Sequence, residues 1–153
     1  MHIVVFSSIL AATCGYALWR GGAPERLTAL MMLAAFAATF WVPFRPGVSF
    51  HHLNTAILGI DLVLFALLVC IALCANRFWP LWVAAVQLMA IGIHLVKAHD
   101  PTLVSWLYNS ASGKIAYPMV IMLAIGVVRH RERMAAHGSD PDWSIDRKGH
   151  LAT

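Results

Sequence analysis

The chain has 153 residues, of which 60% are hydrophobic and 12% charged. A soluble domain carries about twice that share of charge, so the composition excludes an ordinary water-covered globule. The formal net charge of +4 comes without a basic helical face or a DNA-reading motif, which sets nucleic acid aside.

Hydrophobic runs of about 17–25 residues read as membrane spans, because a helix needs about 20 residues to cross the hydrocarbon core. The first predicted span is 3–19. It is preceded only by His2, with no basic n-region and no convincing cleavage site after it, so it reads as a retained span. Trp19-Arg20 closes it with an aromatic and a cation suited to an interface. The second span is 27–44, rich in Ala, Leu and Met, and Pro43 and Pro46 stop it. A longer loop then carries His51-His52 and ends at Asn54.

The third span, 55–75, is the clearest, with Asp61 as its one charge. The tight turn Asn76-Arg77-Phe78-Trp79-Pro80 makes spans three and four antiparallel neighbours. The fourth span is 81–96. After it, Asp100-Pro101 reads as the start of a short interfacial helix, 101–109. The fifth span, 112–128, has an apolar run of only about 21 Å, so a shallow or re-entrant segment is the alternative. The expected organisation is therefore an all-α bundle of about five transmembrane helices over 1–130 and a polar, disordered tail over 131–153.

Charge sets the expected orientation. Arg20, Arg26, Arg77, Arg129, Arg131 and Arg133 fall on one side, and Arg45, Lys97 and Lys114 on the other. The positive-inside rule then puts the N-terminus outside and the C-terminus in the cytoplasm, in a bacterial inner membrane. Trp79 and Trp82 read as interfacial belt anchors, and Arg129, Arg131 and Arg133 as anchors to anionic headgroups.

With that topology, His51, His52, His94, His99 and Asp61 gather toward the outer face. Asp61 lies about 9 Å inside its span, where an ionisable residue is costly and marks a functional hypothesis. His94 enters from the same side. Gln87 and His94 are seven apart, as are Asn54 and Asp61, so two polar stripes face each other on neighbouring helices. A hydrogen-bonded clamp between helices, a proton or ligand site, and a metal or haem site all fit this pattern. For metal or haem the candidate ligands are His51, His52, His94 and His99, although their spacing matches no strong motif. Cys14, Cys70 and Cys74 lie inside spans and form no disulfide framework. No nucleophile triad, P-loop or zinc-protease motif occurs, so the sequence names no catalytic residue and no cofactor.

The stretch from Asn76-Arg77-Phe78-Trp79-Pro80-Leu81-Trp82 through Gln87 to His94, with Tyr117-Pro118 and Arg129-His130-Arg131, resembles small uncharacterised bacterial multi-span inner-membrane proteins. That resemblance implies a membrane bundle and no particular activity. Three functions follow as expectations. The first is a non-enzymatic accessory or scaffold subunit, partnered by the bilayer and by other subunits or copies of itself. The second is a redox, metal or haem protein using the outer histidines. The third is a small proton-linked transporter using Asp61 and His94.

Overall fold

The computed structural model describes residues 2–41, 55–99 and 114–144. Five helices occupy them: α1 (His2–Arg20), α2 (Ala23–Trp41), α3 (Thr55–Cys74), α4 (Trp79–His99) and α5 (Ala116–His137). No strand occurs among the described residues, only an isolated antiparallel bridge between Ala75 and Trp143. The chain runs up and down. Each helix packs on the next, and α5 returns to α1 and also touches α2, which closes a ring.

The core follows from helical spacing. Leu10, Cys14 and Ala17 face inward from α1, Leu64, Leu68 and Ile71 from α3, and Met119, Val120, Leu123 and Val127 from α5. Intervals of three, four and seven keep each set on one side of its helix. The other faces remain apolar and exposed. Leu73, Val63, Met89 and Ile121 are all more than half exposed.

Two segments are long and apolar enough to cross a membrane, Ala56–Cys74 and Trp79–Val96. The apolar stretch Val4–Arg20 is shorter. A long apolar helix in the core of a soluble protein is mostly buried, whereas only 17% of the first of these segments is.

The fifth helix differs most from expectation. It is continuous for 22 residues, and it runs through both the expected span end at 128 and the expected domain boundary at 130/131. Hydropathy changes at Arg129, but helix propensity does not. Arg, Glu, Met and Ala are all good helix formers, so the backbone carries on after the apolar run stops. Gly138 ends it in the left-handed region, at φ 70°, with its N–H on the carbonyl of Met134 at 3.0 Å. Residues 140–143 then fold back onto the bundle, where the N–H of Asn76 donates to the carbonyl of Asp142. The expected helix 101–109, the loop histidines His51 and His52, Asn54, and the tail beyond 144 lie outside the described residues.

Trp79 also departs from expectation. It is 8% exposed, and its indole faces inward. A Cβ at Gly126 would sit 2.8 Å from Trp79 Cε2, so glycine is what lets α5 accept the ring. Gly126→Val should therefore overpack this contact and cost about 1–3 kcal/mol. Gly15→Ala, where a Cβ meets nothing within 4 Å, should leave stability unchanged or raise it by about 1 kcal/mol. Thermal unfolding followed by circular dichroism in mild detergent separates the two.

Candidate functional site

Polar side chains gather at opposite ends of the ring. The first group lies near the ends of α2, α3 and α4 that are joined by the longer connections. Asp61 is one turn and two turns from Leu64 and Leu68 on the inward face of α3, which turns its carboxylate toward α4. Gln87 lies between Val83 and Ile91 on the buried face of α4 and is 3% exposed. Its Nε2 donates to Asp61 Oδ1 at 2.9 Å and reaches the Asp61 carbonyl at 3.3 Å. His94 Nε2 meets the other carboxylate oxygen, Oδ2, at 3.1 Å. Asp61 is thus held on both oxygens by one helix.

Beside these three side chains is a cavity of about 280 Å³. Ile57, Ala90, Ile93, Ile115 and Met119 give it an apolar lining. Thr39 also lines it, with its hydroxyl turned back to the carbonyl of Ala35 at 2.8 Å. A carboxylate and an imidazole are therefore the chemically active groups of an otherwise greasy pocket.

The other sequence candidates do not join them. His51, His52 and Asn54 are outside the described residues, and of His99 only the backbone is described. Cys70 and Cys74 are free thiols on the outer surface, while Cys14 is buried. Trp82 stays on the surface, 53% exposed. Arg129 is exposed, and Arg131 donates to Tyr16 Oη at 2.7 Å. Arg133 donates to Asp140 Oδ1 at 3.0 Å and so takes part in the second group.

That second group, at the opposite end, is the larger and was not singled out by the sequence. Its centre is Arg77, in the turn between α3 and α4, with a side chain 2% exposed. The guanidinium reaches Glu25 Oε1 at 3.0 Å, Asp140 Oδ2 at 2.9 Å and Asp142 Oδ1 at 2.8 Å. Asp140 also takes His130 Nδ1 at 2.7 Å. Asp142 Oδ2 accepts the N–H of Ala23 at 3.1 Å and so caps the start of α2 from a distant part of the chain. Trp79 Nε1 donates to Glu25 Oε1 at 3.2 Å.

Burial raises the Glu25 carboxyl above its ordinary value, and Arg77, its own backbone N–H, His130 and Trp79 oppose this only in part. Asp140 moves the other way. Burial would raise it, but hydrogen bonds from Arg133 and His130, with the charges of Arg77 and Arg133, outweigh burial and hold it below 3.8. Asp140 therefore stabilises the fold above that value and loses its contribution as pH falls through the lowered one. Glu25 has the opposite sign, since its ionisation costs stability as pH rises above 4.5.

Removing one partner of a buried pair leaves the other charge uncompensated, at a cost of about 3–5 kcal/mol. Arg77→Ala should destabilise the bundle by that order. Adding Glu25→Gln should recover part of the loss, a coupling that a double-mutant cycle in chemical unfolding reads directly. No family model, curated protein or solved structure matches the chain.

Proposed function

We propose that the chain is a small bacterial inner-membrane protein of five crossing helices, with its N-terminus outside, that exchanges a proton for a small organic cation at Asp61 and His94. The observation that carries this reading is the Asp61–His94 contact at 3.1 Å beside an apolar cavity.

The membrane part rests on the outward apolar faces of α3 and α4 and on their low burial. The apolar parts of α1, α2 and α5 cross beside them. The basic end of α5 then sits in the cytoplasm.

The exchange part rests on charge arithmetic. With Asp61 ionised and His94 neutral, the pair carries one negative charge. A proton taken up by the imidazole turns it into a neutral ion pair. A monovalent cation in the cavity would balance the same single charge. Proton and cation therefore compete for one site, and competition of that kind links their movements. The apolar lining favours an alkyl-substituted amine over a bare inorganic ion. The volume, just under the roughly 300–1,000 Å³ of drug-sized sites, favours a small one. Gln87 keeps the carboxylate oriented in both states through its bond to Oδ1.

A second reading, an accessory subunit, is supported by one surface. Between α2 and α3 a groove of about 540 Å³ is lined by Met31, Ala34, Ala35, Ala38, Gly59 and Val63. Small residues of this kind let another membrane helix approach closely.

Protein reconstituted in liposomes that carry an internal pH-sensitive dye, challenged with a panel of small primary to quaternary amines, distinguishes the readings. One-for-one exchange moves no net charge and predicts amine-driven proton flux with at least one amine class, falling at least about tenfold in Asp61→Asn and in His94→Gln. No proton flux with any amine, or flux unchanged in both variants, would overturn it.

A further inference from the structure

We propose that Glu25, His130 and Asp142 form a binding site for a divalent first-row transition metal ion of the zinc class, at the end of the bundle away from Asp61. One oxygen or nitrogen from each of these three residues lies within 4.8 Å of the corresponding atoms of the other two. Bonds of about 2.1 Å place ligands on one ion at most about 4.2 Å apart, so side-chain movements of about 1 Å close the set.

Three independent features point to a ligand. The first is Glu25 Oε2. Glu25 is fully buried, and its Oε1 takes both Arg77 and Trp79, yet Oε2 is a buried acceptor with no hydrogen-bond partner. A buried carboxylate oxygen left without a donor is costly, and a cation removes that cost.

The second is the orientation of His130. Its Nδ1 is 2.7 Å from Asp140 Oδ2 and 3.1 Å from Arg77 Nη2, and we place the proton on Nδ1, donated to Asp140 across the shorter contact. The Nε2 lone pair is then available. An imidazole that donates one ring N–H to a carboxylate while its other nitrogen binds a metal is the common second layer of metal sites. Asp140 is thus a positioning residue for His130.

The third is the space itself. A Cβ placed on Gly22 would lie 2.4 Å from Asp142 Oδ1, 3.0 Å from Glu25 Oε2 and 3.1 Å from His130 Cε1. The same glycine surface is thus edged by all three proposed ligand residues. Glycine here keeps the space between them clear.

Charge agrees. Glu25, Asp140 and Asp142, when ionised, against Arg77 and Arg133 leave the group with one net negative charge when His130 is neutral. One nitrogen and two carboxylate oxygens suit a borderline ion better than a soft one, and no thiol is near enough to take part. An ion there would tie the α1–α2 turn, α5 and the segment after Gly138 together at one point.

The test uses the full chain, purified in mild detergent without a polyhistidine tag, stripped with chelator and titrated with zinc chloride in a calorimeter. One zinc per chain is expected, with a raised thermal midpoint. His130→Gln and Asp142→Asn should each weaken binding at least about 100-fold, and Asp140→Asn about 10–100-fold. His94→Gln should bind zinc as the parent does. Absence of stoichiometric binding, survival of binding in His130→Gln, or its loss in His94→Gln overturns the proposal. If His130→Gln does not fold, zinc-edge X-ray absorption of the parent protein decides. One imidazole with oxygen neighbours supports the site, while sulfur or several imidazoles contradict it.

Discussion

The arrangement of the bundle depends on a single guanidinium being neutralised out of water. Arg77 sits in a four-residue turn, yet its charge partners Glu25, Asp140 and Asp142 lie far from it in the chain. Leaving that charge buried and unpaired would cost several kcal/mol. The start of α2, the end of α5 and the segment after Gly138 must therefore all arrive at one place. Glu25 stands at the first turn of α2, His130 two turns before the end of α5, and Asp140 and Asp142 beyond its cap. The C-terminal part of the chain is in this sense a structural element of the bundle.

The two ends of the ring are consequently unlike. At one, Asp61, Gln87 and His94 leave a cavity beside an apolar lining. At the other, three carboxylates and two guanidiniums fill the space between helices. On the proposed reading, a site that exchanges a proton for a cation needs to be reached from one side at a time. In that reading the Arg77 group closes the end of the bundle opposite the Asp61 pocket.

The helices and the Asp61 polar group were legible in the sequence because both depend on local spacing. Asp61, Gln87 and His94 are the polar residues of two uninterrupted apolar segments, and a seven-residue interval puts two of them on one face. Their meeting follows from a tight turn that leaves α3 and α4 only one way to pack. The Arg77 group was not legible for the opposite reason. Glu25 and Arg26 look alike in a short loop, Arg77 looks like any cation at a membrane edge, and His130 lies within a run of basic residues. Asp140 and Asp142 stand in a stretch rich in Gly, Ser and Pro that resembles a solvated tail. No interval links residues so far apart. The available signal was the mismatch itself, two aspartates of a supposed tail opposite an arginine that a tight turn holds against the helices. Trp79 misled for a related reason, since an indole suits an interface as well as it suits a buried acceptor such as Glu25.

The central claim is that the segment after Gly138 is locked to the bundle by Arg77. Amide hydrogen exchange read by mass spectrometry tests it most directly. The account predicts slow exchange for Ala23, Asn76 and residues 138–144, all released together when Arg77 is replaced by methionine. Exchange of residues 138–144 at the rate of an unfolded chain in the parent protein would contradict it.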